Sequence, residues 1–139
     1  MEDSEYAALA EFRTQIREFL LFSRQAARRA GLEPSQHQAL LVLKGLPPSE
    51  RPTIRAVARR LLVRHHSAVG LVDRLEQRGL LRRRRAEGDA REIHLQITPA
   101  GESVLRKLSL AHRDELRAAA PRLVRSLRRV IHDRAPEKA

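Results

Sequence analysis

Between Thr53 and Thr98 the spacing of apolar residues changes from threes and fours to strict alternation, and no other feature of the chain restricts its fold as much. Thr53 is a favourable N-cap for a short helix with Ile54, Val57, Ala58 and Leu61 on one face. After a brief break, Ala68, Leu71, Val72 and Leu75 repeat the helical spacing as far as Gly79. Ile93, Leu95 and Ile97 then alternate with Glu92, His94 and Gln96, the signature of a half-buried strand. Its expected partner is Leu80 to Arg85, with Glu87, Gly88 and Asp89 in the turn.

Helices flank this unit. Leu9, Phe12, Ile16, Phe19, Leu20 and Ser23 recur at helical spacing up to a stop at Gly31, and Pro34 opens a second helix with Leu40, Leu41 and Leu43 before Gly45. The prolines of GLPPSERP make a loop. Thr98 and Pro99 start a further helix through roughly Ala120, and Pro121 opens a last one with Leu123, Val124, Leu127, Val130 and Ile131. The expected fold is mainly α with a small β-wing: a winged helix-turn-helix at 34–98, and a helical dimerisation region from 1–33 and 99–139. The terminal helices carry apolar stripes that so small a central unit cannot cover, which predicts a homodimer.

With 139 residues, 42% hydrophobic and 32% charged, the chain has room for one domain or two small interdigitated ones. It has no Cys, which excludes disulfides, thiolate metal sites and thiol redox chemistry. No apolar run reaches the roughly 18 residues of a membrane span, and the reading is a cytoplasmic protein without membrane, metal or cofactor. No phosphate loop or nucleophile elbow is present, and the carboxylates are scattered among arginines at helical spacing, so an enzyme is not expected. The formal net charge is +11, and 25 of the 28 basic residues are Arg. Residues 51–91 hold 12 Arg against four acids, a net of +8, while the other 98 residues carry only +3. The polyanion footprint therefore lies on the helix-turn-helix and the hairpin.

The major groove of B-DNA, about 12 Å wide, admits one helix whose first turns reach base edges. Arg64, His65, His66, Ser67, Val69 and Gly70 occupy those positions, with Val69 suited to a thymine methyl and Gly70 to close backbone approach. Arg59, Arg60, Arg74 and Arg78 are candidates for phosphates. In the run Arg82, Arg83, Arg84, Arg85, alternate side chains face the duplex and the body, and Arg91 at the hairpin tip suits the minor groove with Asp89 holding its rotamer. His65 and His66 point about 100° apart, which disfavours a shared metal.

The segment ARRLLVRHHSAVGLVDRLEQRGLLRRRRAEGDAREIHLQITPAG resembles the core of the multiple antibiotic resistance regulator (MarR) family of transcription factors. Ala58, Val72 to Glu76, Gly79-Leu80-Leu81, Asp89-x-Arg91 and Thr98-x-x-Gly101 carry the resemblance without gaps. It implies a homodimeric, sequence-specific regulator, a repressor that binds an inverted-repeat duplex. Arg91 would be the minor-groove arginine positioned by Asp89, and Asp73 would pair with an arginine of the wing base, for which Arg83 is the candidate. The resemblance also implies a small anionic or aromatic effector between the lobes, for which His37 is the candidate contact. Four positions depart from the pattern: Leu62 replaces a turn glycine, Arg64 a capping serine, Glu33 a capping threonine, and His37 an aromatic residue one turn further on. Two rival readings use the same features: a sequence-tolerant architectural DNA binder, and a protein-interaction module on the same fold.

Overall fold

A computed structural model describes residues 1–132, apart from the Ala90 side chain. In chain order the elements are α1 (Asp3–Arg29), α2 (Pro34–Lys44), α3 (Ile54–Leu61), α4 (His65–Gln77), β1 (Leu81–Ala86), β2 (Asp89–Ile97) and α5 (Pro99–His132). The chain divides into two units, one of residues 27–109 and one that joins residues 1–26 to the chain from Leu110 onward.

In the 27–109 unit, Leu32, Leu40, Val57, Val72, Leu75 and Leu81 are the largest fully buried side chains, contributed by α2, α3, α4, β1 and the turn after α1. The spacing expected on α4 is realised: Ala68, Leu71, Val72 and Leu75 are all buried. Leu41 and Ile93 depart from expectation, each more than two-fifths exposed. Leu41 lies next to Leu40 on α2, and adjacent helical residues point about 100° apart, so the inward turn of Leu40 and Leu43 carries Leu41 outward.

The strands pair antiparallel from Leu81↔Ile97 to Arg85↔Ile93, and the register then jumps to Ala86↔Asp89. Residues 90–92 are thus extra on the β2 side, a bulge at the hairpin tip. The Leu95 amide donates to the Pro52 carbonyl at 2.7 Å, which ties the loop before α3 to the wing.

Capping is local chemistry. Gly31, at φ +81°, ends α1, with the Leu32 amide returning to the Ala27 carbonyl. Thr53 Oγ1 accepts from the Ala56 amide at 3.1 Å and starts α3. Thr98 does more than cap α5. Its Oγ1 accepts from the Gly101 amide at 3.1 Å and donates to the Gly79 carbonyl, joining the end of the wing to the end of α4. A Cβ at Gly101 would sit 2.3 Å from the Leu80 carbonyl oxygen, so Thr98-x-x-Gly101 is a close-packed joint that only glycine fits.

One expected helix boundary is absent. Pro121 does not open a separate helix; it lies inside a single α5 of 34 residues. Proline costs an interior helix one backbone hydrogen bond and a steric clash, about 3 kcal/mol. The helix nonetheless runs through Pro121, with Leu105 and Leu108 buried well before it and Ser126 buried after it. Residues 133–139 of the expected C-terminal region lie outside the described residues.

Candidate nucleic-acid interface

The turn between α3 and α4 is made by Leu62 at φ +56°, ψ +43°, a left-handed conformation that suits glycine. The Val63 amide returns to the Ala58 carbonyl at 3.0 Å and closes the turn despite the leucine, whose side chain is 91% exposed. Arg64 then caps α4 with no side-chain hydrogen bond to the helix, and the first turn carries no acid. Its leading amides and the positive end of the helix dipole therefore face outward uncompensated. Arg64, His65, His66 and Ser67 are all exposed, as a base-reading turn requires; Val69 and Gly70 are half-buried. Gly70 has an intramolecular neighbour, because a Cβ there would lie 3.4 Å from Arg74 Nη1.

Behind this turn the wing is fastened to α4. Arg83 Nη2 donates to Asp73 Oδ1 at 2.6 Å and Nη1 to Glu76 Oε1 at 2.7 Å, while the Arg83 amide donates to Glu76 Oε2 at 3.0 Å. Such paired charge-assisted bonds restrict orientation more than a single contact does. The Asp73 hydrogen bond is the largest influence raising the Arg83 guanidinium above its ordinary pKa; partial burial opposes it and Glu76 adds to it. Arg83 thus faces the body of the domain, and the flanking Arg82 and Arg84 are exposed, as strand alternation demands. Arg85 is exposed as well, at the last pair before the register breaks.

At the tip, Asp89 Oδ1 accepts from the Arg91 backbone amide at 3.0 Å. Among the described residues no ion pair joins the Asp89 carboxylate to the Arg91 guanidinium. Asp89 shapes the backbone of the tip, and the exposed Arg91 side chain projects from it. The physical reason is reach: a short carboxylate two residues away meets the amide first.

The expected phosphate contacts divide. Arg74 lies along α4 over Gly70. Arg78 has other work, since its Nη1 donates to the Gly31 carbonyl and, at 3.3 Å, to Gln36 Oε1. Arg60 and Arg59 both bind Glu50, at 2.6 and 3.3 Å. The Arg60 hydrogen bond is the main cause holding the Glu50 carboxyl below the ordinary carboxylate range. Sequence reasoning missed Glu50, although it is the sole acid between Glu33 and Asp73.

His37 is 3% exposed on the inner side of α2. An open cleft of about 630 Å³ lies beside it in sequence but not around it, lined by Leu41 and Lys44 of α2 and by Pro99, Glu102, Leu105 and Arg106 of α5, among others. Lys44 and Glu102 pair across it at 2.9 Å. Among the described residues no three His, Asp or Glu side chains cluster closely enough to hold a metal ion, and no helix is long and apolar enough to cross a membrane.

Residues 30–92, from the end of α1 to the wing, match the MarR family model. They form a winged helix-turn-helix of the kind that model describes. The fold extends the match. A MarR family protein from Bacillus stearothermophilus aligns with a TM-score of 0.69 and 20% identity over 99% of this chain and 86% of its own. The MepR–DNA complex of S. aureus aligns with a TM-score of 0.63 and 19% identity over 78% of this chain and 79% of that one. CouR from Rhodococcus jostii, bound to p-coumaroyl-CoA, gives 0.63 and 20% over 86% and 88%. No curated protein matches the chain. The MarR-family features found by sequence, Asp73 with Arg83 and Thr98 with Gly101, are the two joints that hold this wing to α4 and to α5.

Proposed function

We propose that the chain is a homodimeric, sequence-specific, double-stranded DNA-binding regulator, acting as a repressor that a small molecule releases. The observation that carries this reading is the Arg83 clamp on Asp73 and Glu76. It makes the outward turn of α4 and the Arg91 tip parts of one body, able to enter a major groove and the adjoining minor groove together. Arg64, His65, His66, Ser67 and Val69 then meet base edges, and Arg91 reads groove width.

The dimer is supported by the other unit. Its large apolar residues Leu20, Leu21, Val124, Leu127 and Ile131 are 40–60% exposed, a surface that a second copy would cover. Two copies call for an inverted repeat with half-sites about one helical turn apart. The cleft beside α2 supports an effector site. Leu41, Pro99 and Leu105 offer an apolar floor, and Lys44 and Arg106 offer cations for an anionic aromatic compound. An aromatic acyl-CoA is the ligand in CouR. His37 takes no part in this site, being in the core.

Selection of bound fragments from the native genome, followed by competition against bulk DNA, tests the reading. The expected outcome is a palindromic site preferred by at least about a thousandfold. A preference near one would replace the regulator with an architectural binder.

A further inference from the structure

The lobe that carries the basic face holds one carboxylate in a place that composition alone would not foretell. From Pro34 to Val72 the sequence has six cationic side chains, Lys44, Arg51, Arg55, Arg59, Arg60 and Arg64, and a single acid, Glu50. That acid is seated on the two consecutive arginines at the end of α3, at 2.6 Å from Arg60 and 3.3 Å from Arg59. Its loop is anchored on both sides. The Glu50 amide turns back to the Pro47 carbonyl at 2.9 Å, Arg51 pairs with Glu92 of β2 at 2.6 Å, and the Pro52 carbonyl receives the Leu95 amide. The position of Glu50 is therefore built by the loop and the wing together.

A carboxylate gripping two guanidiniums presents the same chemistry to them as a phosphate does. The pair is partly exposed, with 28% of the Glu50 side chain and 63% and 41% of the two arginines accessible, so water and a competing anion reach it. We infer that Glu50 is an internal competitor for the duplex backbone: it occupies Arg59 and Arg60 in the free protein and must yield them before they neutralise a phosphate. Because the loop is anchored, release needs only a side-chain rotation. The consequence is a lower electrostatic affinity for any duplex, which leaves a larger share of the binding free energy to base contacts and shields the protein from capture by bulk DNA. The inference rests on the DNA-binding reading above and names a residue that tunes it.

The test uses the full-length protein and a mixed-sequence duplex of about 30 base pairs, titrated by fluorescence anisotropy from roughly 50 to 300 mM NaCl. Glu50→Gln is expected to tighten binding about 3- to 10-fold across that range, with the slope of log K against log salt little changed, because the same phosphates are neutralised once the arginines are released. In an Arg59→Gln, Arg60→Gln background the same change is expected to do nothing, because the acid acts only through those arginines. Thermal melting of each variant shows that the fold is retained. An unchanged affinity in Glu50→Gln, with Arg91→Ala still weakening binding, overturns the competitor role and leaves the DNA reading intact. Absence of binding by the unaltered protein overturns both.

Discussion

The two units of this chain bury opposite kinds of residue. In residues 27–109 the fully buried side chains are large aliphatics such as Leu40, Val57, Leu75 and Leu81. In the terminal unit the buried residues among those described are Ala8, Gln15, Ser23 and Ser126, small or polar, while Tyr6, Leu9, Leu21 and Ile131 stand exposed. His112 fits the same picture, with its ring nitrogen 2.8 Å from Ser23 Oγ and edge-on to Phe19 and Phe22. One unit has a finished core and the other has its apolar surface outside. That arrangement supports the proposed homodimer, in which a second copy would cover the terminal unit's apolar surface.

Breaking the terminal unit should have the largest effect. Replacing Leu127 and Ile131 together by Asp is expected to give monomers in sedimentation and to remove most of the ~5–15 kcal/mol that holds such a protein folded. Variants that keep both dimer and melting temperature would erase the contrast. Within the finished unit, Gly101→Ala forces a Cβ against the Leu80 carbonyl and should cost about 2–3 kcal/mol in denaturant unfolding. Arg83→Ala acts differently. It leaves Asp73 and Glu76 of α4 without Arg83, and should weaken duplex binding at least about tenfold with a much smaller loss of stability. Leu62→Gly sharpens the comparison in the other direction, relieving a left-handed leucine and raising stability by about 0.5–1 kcal/mol.

The smallest effect is one of pH. The Glu50 carboxyl titrates below its ordinary range, so its pairing with Arg60 stabilises the fold above that range and is lost as pH falls through the lowered value. The acid limb of a stability profile should therefore show a slight excess over Glu50→Gln at neutral pH that vanishes in acid. A constant difference would contradict the pairing.

Most of the fold was legible because it rests on periodicity and local caps. Thr53, Gly31 and the inward face of α4 required only neighbours in sequence. What escaped was non-local or competitive. Pro121 reads as a helix start, whereas α5 runs through it from Pro99 to His132. Arg78 reads as a surface cation, but a carbonyl 47 residues away in Gly31 accepts from it. Asp89 was found as a partner of Arg91, while the atom it binds is an amide, a distinction that spacing does not make. The Arg83 clamp was recovered from family resemblance, and its second carboxylate, Glu76, came from the structure.

Hydroxyl-radical footprinting on a genomic site selected by the protein tests the central claim most directly. Two symmetric protected stretches are expected, each with a minor-groove flank that disappears in Arg91→Ala while the protection around the recognition helix remains. A footprint that is single, or that Arg91→Ala leaves unchanged, would contradict a paired molecule in which helix and wing enter the duplex as one body.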